Sequence, residues 1–448
     1  MKQSTLLAIL QQSEYDLNDF TRWYNDHKDE DLDIKPDKLT TKLQLIKKIL
    51  PFTFFLPELQ RIIVATKLVQ PIDALIRQVY YALAKSALWL YRKKGLQVVA
   101  IAGSYGKTST KSIAAHALSS QKEILVTPKS INTLLGIAQV ILHDLKPNHD
   151  VFIIEFGEYN ADDITHLTKF TTPDFAIITP IGRQHLERFG SLKKIAATFL
   201  PLISFFKKNP QNIIIEEQNI GLLSPLIPQV SDMTCYGVAA AAQLRLENTK
   251  VTRQGTEFNL VLQNKNAPEI RYDDLFIPLY GTHQAINALA SIWLADVLDL
   301  DISLVSKQLA STPYVDRRHQ PHFAENNVLI LDNSYNTNPD SATASLALIN
   351  QLEASRRLII TPGFVELGAE SSKIHFEFGT QLAGAVDYVG LIEAPWTESI
   401  IEGFVEAGGK REHMVTGSDF DQALAKLSGM IIANSIVLFE GGFREIYT

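Results

Sequence analysis

This sequence of 448 residues has only one cysteine, no long apolar run and no excess of positive charge. The single cysteine, Cys235, excludes an internal disulfide and a zinc site built on cysteines, and we expect it to fill apolar space. No uncharged apolar run reaches the roughly 18 residues of a membrane-spanning helix. The formal charge of −7 argues against binding nucleic acid, because phosphate contacts require a basic surface.

The remaining composition is that of a globular protein, with 46% apolar and 20% charged residues. At roughly 100–200 residues per domain, the length predicts two to four domains. The first residues, Met1–Ser4, do not begin a recognisable signal peptide, and we therefore expect a cytoplasmic protein.

Residues 1–95 are predicted to form an N-terminal region whose charge changes sign along the chain. Residues 1–40 are acidic, with a short amphipathic helix predicted around Trp23. Residues 41–95 carry ten lysines and arginines but only two acids, Glu58 and Asp73, among many apolar residues. Two interpretations are open for this basic amphipathic stretch: helices packed on the next domain with a solvated basic face, or peripheral contact of residues 41–95 with a membrane.

Apolar strand-like runs alternate with helical patterns from residue 96 onward. The first runs are Val98–Ala102, Val151–Glu155 and Phe175–Thr179, which predict a parallel sheet covered by helices. Residues 232–280 indicate an antiparallel addition to that sheet. A second series of strands starts at Val328–Asp332. The predicted fold is α/β, with a helical N-terminal segment (1–95), a central domain built on a parallel sheet (96–312) and a Rossmann-like α/β C-terminal domain (313–448).

The strongest local motif is the loop Gly103-Ser104-Tyr105-Gly106-Lys107-Thr108, which follows a strand and opens a helix with Ser109 in its first turn. Backbone N–H groups and the helix N-terminus then converge on one point that attracts phosphate. Lys107 is expected over the terminal phosphates of a nucleotide and Thr108 on Mg²⁺, which makes this a P-loop central domain. Ile101 stands where the usual eight-residue pattern has glycine, so a simple glycine turn is the alternative.

Glu155 ends a buried strand, at the sheet edge where α/β proteins place functional groups, and is predicted to hold Mg²⁺. The alternative is a solvated or structural glutamate. His185 follows another strand, and its imidazole could ligate a metal or orient a phosphate.

Taken together, these motifs resemble the Mur ligase family, in particular the branch that joins D-alanyl-D-alanine to a UDP-N-acetylmuramoyl tripeptide with ATP. The loop at residues 103–108 resembles that family's shortened variant. Further similar segments are Ser130–Ile137, Gly281–Ala288, Asp332–Pro339 with Arg317 or Arg318 upstream, and Pro362–Gly368 followed by His375.

The resemblance implies ATP and Mg²⁺ as cofactors and assigns a role to each matching residue. Lys107, Glu155 and His185 would be catalytic, and Thr108, Glu155 and His185 would hold Mg²⁺. The implied nucleotide-binding residues are Gly103, Ser104, Tyr105, Gly106, Lys107, Thr108, Ser109, His283, Asn287, Arg318 and Asp332. The implied substrate-binding residues are Asn132, Thr133, Tyr335, Asn336, Asn338 and Pro339.

Three departures from the family pattern accompany these matches. Phe199 stands where the family carries a lysine that is carbamylated to bridge a second Mg²⁺, and phenylalanine cannot ligate a cation. Asn333 and Gln284 replace an aspartate and an asparagine of the family pattern, and both retain hydrogen-bonding groups. The family's N-terminal nucleotide-sugar domain is not recognisable in residues 1–95.

The resemblance implies an ATP-dependent amide ligase of cell-wall precursor synthesis that acts through an acyl phosphate. Its partners would be a UDP-linked muropeptide and an amino acid or dipeptide, with no nucleic acid. Two alternatives stay open: the same ligase chemistry on a different carboxylate, and an ATP-binding scaffold that has lost catalysis with the lysine replaced by Phe199.

Overall fold

The computed structural model describes residues 58–263, 268–335 and 337–442, with side chains from Ala74 onward. The acidic segment 1–40, the start of the basic stretch and the predicted substrate residue Asn336 lie outside the described residues. Two compact units divide between Ala87 and Leu88, within a long first helix, α1 (Glu58–Arg92). None of the described helices is long and apolar enough to cross a membrane.

The second unit contains a nine-stranded sheet that starts after the end of α1. Its strands follow in chain order: β1 (Gln97–Ala102), β2 (Ile124–Val126), β3 (Val151–Glu155), β4 (Phe175–Ile178), β5 (Ile213–Glu216), β6 (Thr234–Gly237), β7 (Leu244–Thr252), β8 (Gly255–Leu262) and β9 (Ile270–Ile277). The spatial order is β2-β3-β1-β4-β5-β6-β7-β8-β9. Neighbours from β2 to β7 are parallel, and β7-β8-β9 are antiparallel. The antiparallel addition predicted for residues 232–280 is therefore formed by β7 to β9, whereas β6, in the same range, is parallel to both of its neighbours.

Helices cover this sheet, and their bounds are α2 (Lys107–Leu118), α3 (Leu134–His143), α4 (Asp163–Thr171), α5 (Leu186–Phe189), α6 (Leu192–Thr198), α7 (Leu200–Phe205), α8 (Gln218–Leu223), α9 (Thr282–Val297) and α10 (Ile302–Leu309). The core lies between the sheet and helices α2 and α9, where Ile113, Leu289 and Trp293 pack on strand residues such as Val99 and Ile153. Because β1 and β3 are buried on both faces, their sequences are continuous apolar runs and do not alternate between apolar and polar residues.

A six-stranded sheet forms the rest of the unit. Its strands are β10 (Gln320–Ala324), β11 (Val328–Asn333), β12 (Arg356–Thr361), β13 (Tyr388–Ile392), β14 (Met414–Gly417) and β15 (Ser435–Glu440), in the order β10-β11-β15-β12-β13-β14. Only β10 runs antiparallel to its neighbour among these described strands. Its helices are α11 (Pro339–Gln351), α12 (Ser371–Ala385), α13 (Thr397–Glu406) and α14 (Phe420–Ser428). The predicted α/β fold is confirmed.

Parallel pairing brings the carboxyl ends of three strands together. Ile101 of β1 pairs with Glu155 of β3, and Ala102 pairs with Ile178 of β4. The glycine loop after β1, the acid that ends β3 and the segment after β4 therefore meet at one edge of the larger sheet.

Candidate active site

The loop after β1 is shaped by two glycines and by the segment that follows β4. Gly103 and Gly106 have φ angles of 141° and 83°, which side chains other than glycine rarely adopt. A side chain at Gly103 would collide with Thr179. The Ser104 N–H donates to the Pro180 carbonyl at 2.9 Å, which fixes the loop against the neighbouring strand end.

Gly106 is the N-cap of α2, so Lys107 is the first residue of the helix and Ser109 lies buried in its first turn. First-turn N–H groups have no acceptor within their own helix, and the helix dipole adds positive potential there. The loop that we predicted to bind phosphate thus has the expected local structure: a strand, a glycine turn and a helix N-terminus.

Lys107 is held inside this loop. Its ammonium donates to the carbonyls of Gly103 and Ser104, and it forms an ion pair with Glu158, whose Oε2 lies 3.0 Å from Nζ. Lys107 is 9% exposed and Glu158 is 3% exposed. Sequence reasoning missed Glu158, since its only signal is its position three residues after the end of β3.

Glu155 and Thr108 come together as predicted. The Thr108 hydroxyl donates to Glu155 Oε2 at 3.1 Å, and the Lys111 ammonium donates to the same oxygen at 2.9 Å. A hydroxyl and a carboxylate are hard oxygen donors of the kind that Mg²⁺ prefers, and Mg²⁺ needs few protein ligands when phosphates and water supply the others. These two residues fit the expected metal. Lys111 was not predicted, although it lies one helical turn after Lys107.

His185 has a different partner from the one expected of a metal ligand. Its Nδ1 is bonded to Glu366 of the C-terminal domain, and its ring packs edge-on against Tyr159, with 4.9 Å between ring centroids. Within the described part of the chain, no three histidines, cysteines, aspartates or glutamates form a group that could hold a metal ion. The geometry makes His185 a contact between domains.

A second contact between the two domains joins Arg183 to Asp340, near the start of α11. The Arg183 backbone N–H donates to Asp340 at 2.6 Å, and its Nη2 donates at 2.9 Å. The Tyr335 hydroxyl donates to Ser130 across the same cleft at 2.9 Å. None of these pairings was predicted, because each joins residues distant in the sequence.

Arg318 enters the site from the C-terminal domain. Its guanidinium carbon lies 4.6 Å from the centre of the Tyr335 ring. Burial lowers the pKa of Arg318, whereas the negative charge of Glu155 acts in the opposite direction. Arg318 thus brings a cation from the C-terminal domain into the electrostatic field of Glu155. Asp332 lies on β11 and accepts the Ser334 N–H at 2.9 Å.

His283 and Asn287 lie in the first two turns of α9; the Asn287 oxygen faces Gly106 of the glycine loop, and the His283 ring packs on that of His319, with 5.0 Å between centroids. Burial lowers the pKa of His283 to about 4, so its ring is neutral near pH 7. The His283 Nε2 is buried without a hydrogen-bond partner. A buried orphan ring nitrogen suits a ligand with its own donor or acceptor, as the predicted adenine has.

Two predicted substrate residues serve as helix caps. Thr133 caps α3 by accepting the Gly136 N–H at 3.3 Å. Asn338 caps α11, where Pro339 is the first residue, by accepting the N–H groups of Asp340 and Ser341. Asn132 packs its side chain against Gly157. These residues hold the backbone of the site through local bonds.

Three residues depart from the family pattern, namely Phe199, Asn333 and Gln284, and the structure shows the surroundings of each. Phe199 is fully buried at the junction of α6 and α7. The Asn333 amide donates to both oxygens of Glu440 at 3.0 Å, where an aspartate would place a second carboxylate. Gln284 accepts the Asn287 amide at 3.3 Å.

Fold and site together define a two-domain α/β protein with a glycine loop and a helix N-terminus at the carboxyl edge of its larger sheet. A family model for the Mur ligase middle domain matches residues 101–295, and one for the Mur ligase glutamate ligase domain matches residues 317–443. The chain therefore belongs to the Mur ligase family, and the resemblance seen in the sequence is confirmed.

Curated relatives include the UDP-N-acetylmuramoyl-tripeptide–D-alanyl-D-alanine ligases of Escherichia coli and Haemophilus influenzae. Each is 30% identical, over 306 and 309 residues respectively, which is 68% of this chain in both cases. The matches cover 66% and 65% of those relatives, so the chain spans about two thirds of their length.

Solved structures share the fold. MurF from Acinetobacter baumannii superposes with a TM-score of 0.70 at 22% identity, over 82% of this chain and 78% of that one. MurF from Thermotoga maritima in complex with ADP gives 0.68 at 23% identity, over 82% and 80%. Mycobacterium tuberculosis folylpolyglutamate synthase, complexed with ADP and AMPPCP, gives 0.61 at 15% identity, over 84% and 96%.

Proposed function

We propose that this protein is an ATP-dependent amide ligase of cell-wall precursor synthesis. It would join an amino acid or D-alanyl-D-alanine to a UDP-muramoyl peptide. The observation that carries the proposal is the convergence of Lys107, Thr108 and Glu155 at one sheet edge. Arg318 of the second domain lies over the Tyr335 ring, whose hydroxyl reaches Ser130 of the central domain. The curated relatives carry this activity in their names.

In the proposed reaction, a substrate carboxylate oxygen attacks the γ-phosphorus of ATP and the bond to ADP breaks, which gives an acyl phosphate. The amine nitrogen then attacks the acyl carbon, loses a proton, and phosphate leaves. Lys107 and Arg318 would neutralise charge that develops on the transferred group. Thr108 and Glu155 would hold Mg²⁺, which supplies further charge neutralisation on the phosphates.

Phosphate release from ATP and Mg²⁺ tests the proposal. We expect release that requires both a UDP-muramoyl tripeptide and D-alanyl-D-alanine, and that falls at least about a hundredfold in Lys107→Ala. Lys193→Ala removes an exposed lysine on α6 and is the matched control. Binding of ATP with no release on a wide substrate panel would reject the ligase and favour the catalytically inactive scaffold.

A different carboxylate substrate is the second candidate, and one observation favours it. About a third of the length of the curated relatives has no counterpart in the aligned region. In structural superposition, folylpolyglutamate synthase is matched over 96% of its chain and MurF from Acinetobacter baumannii over 78%, although MurF has the higher TM-score. Release stimulated by another carboxylate and amine, and not by the muropeptide pair, would identify this function.

We also propose peripheral membrane contact for the basic stretch at residues 41–95. In the first unit, Leu75, Val79 and Leu83 recur every four residues along α1 and are 50–62% exposed. Residues 74–95 contain five cations and no acid, in a chain whose net charge is −7. An exposed apolar stripe on a basic helix suits the interface of an anionic bilayer.

Co-sedimentation with vesicles tests this contact. We expect the full chain to bind phosphatidylglycerol-containing vesicles more strongly than neutral phosphatidylcholine ones, and less strongly at high salt. The apolar stripe is tested with Leu75→Ser and Leu83→Ser, which should each weaken binding because less apolar surface enters the bilayer. Leu304→Ser, at an exposed leucine of α10, is the control. Equal sedimentation with both vesicle types would refute the proposal.

A further inference from the structure

Glu158 is a buried acid whose role the proposed reaction leaves unexplained. It lies three residues beyond Glu155, and both of its carboxylate oxygens face Lys107 Nζ, at 3.1 and 3.0 Å. The Glu158 side chain is 2% exposed and that of Lys107 is 10% exposed. Solvent therefore screens this ion pair far less than a surface pair.

The hydrogen-bonding capacity of Lys107 is fully used in this arrangement. An ammonium has three N–H donors. Those of Lys107 go to the Gly103 carbonyl, the Ser104 carbonyl and Glu158. A phosphate that binds Lys107 must therefore replace one acceptor. The two carbonyls belong to the loop backbone, whereas Glu158 contributes a side chain that can turn away.

We propose that Glu158 is an exchangeable counter-ion of Lys107, which holds the lysine in place when the loop is empty and is displaced by a nucleotide phosphate. This inference rests on the proposed nucleotide binding at the loop. Glu158 acts on the nucleotide through Lys107 and is a positioning residue. Burial raises the pKa of Glu158, whereas the Lys107 ammonium acts in the opposite direction by favouring the ionised carboxylate. The negative charge of that carboxylate opposes the phosphate, so nucleotide affinity is lower than the loop alone would give.

The test uses Glu158→Gln in the full chain, with ADP binding measured by calorimetry in the presence and absence of Mg²⁺. Glutamine keeps the size of the side chain and one oxygen but removes the charge. We expect ADP to bind about tenfold more tightly in both conditions, because a buried like charge next to the phosphates is gone. The melting temperature without ADP should fall, since Lys107 loses its counter-ion, and the rise on adding ADP should be larger than in the wild type.

Asp162→Asn is the matched control, because it removes one negative charge from an exposed aspartate four residues further along. It should leave ADP affinity unchanged. If Glu158→Gln fails to fold, Glu158→Asp keeps the charge on a shorter side chain and should give tighter ADP binding than the wild type.

Three results would overturn the inference. Unchanged or weaker ADP binding in a folded Glu158→Gln protein would remove the counter-ion role while the nucleotide site stands. Weaker binding only with Mg²⁺ would assign Glu158 to the metal instead. Failure of the wild type to bind ADP would overturn the proposed nucleotide site, and this inference with it.

Discussion

Phe199 lies at the position where the family resemblance implies a lysine, and the side chain is fully buried. A lysine in its place would bury an ammonium, which costs free energy when no anion pairs with it. We expect Phe199→Lys to lower the free energy of unfolding by about 4 kcal/mol in urea titrations. Phe199→Leu, which stays apolar, should cost about 1–2 kcal/mol. A Phe199→Lys protein as stable as the wild type would show that a lysine there reaches solvent or an anion.

Glu440 gives a prediction about pH. Burial raises the pKa of Glu440 to about 7, against hydrogen bonds from Thr337 and Asn333 that lower it. The ordinary value is 4.5, so between pH 4.5 and 7 the folded chain keeps a proton that the unfolded chain has released. The contribution of Glu440 to stability therefore falls as pH rises through this window and is constant outside it.

Glu440→Gln removes this pH dependence. The free energy of unfolding of the variant minus that of the wild type should increase by roughly 1–3 kcal/mol from pH 4.5 to pH 8. Urea denaturation of both proteins at each pH measures this difference. Other titrating groups affect both proteins equally, so the difference isolates Glu440. Parallel stability curves for the two proteins would contradict the raised pKa.

Elements whose signals are local could be predicted from the sequence. The strand before the glycine loop is a short apolar run, and the helix after it begins at the residue that follows Gly106. Contacts between distant segments could not be predicted. Glu158 reaches Lys107 across 51 residues, and Asp340 reaches Arg183 across 157, and neither pairing has a local pattern. The carboxylate at Glu155 was predictable because parallel strands end at a common edge.

The role of Asn338 as the N-cap of α11 leads to a prediction about stability. Its side chain caps α11 in a capping box with Ser341, although the resemblance implies a substrate contact. Asn338→Ala should lower the free energy of unfolding by about 1 kcal/mol, whereas Asn338→Ser keeps a capping oxygen and should be close to the wild type. Urea titration and phosphate release are measured on both. A stable but inactive Asn338→Ser would support the substrate contact rather than the cap.

At the scale of the whole molecule, several polar contacts join the two domains in the described part of the chain, and two of them involve residues 183–185, which follow β4. Arg183 pairs with Asp340, and His185 pairs with Glu366. The proposed reaction requires that water be excluded from an acyl phosphate, and closing two domains around the reactants would do so. The Arg183–Asp340 and His185–Glu366 pairs hold the two domains together in this structure.

Asp340→Ala tests this closure, because Asp340 accepts both the backbone N–H and the guanidinium of Arg183. We expect the variant to show a larger radius of gyration by small-angle X-ray scattering. Its kcat for phosphate release should fall about tenfold, since misplaced groups slow the transfer. Glu398→Ala is the control, because Glu398 is also an acid in the first turn of a helix of the same domain, but it is exposed.

Arg183→Ala should change the scattering in the same direction as Asp340→Ala. Scattering profiles that match the wild type in both variants would show that this pair does not hold the domains together.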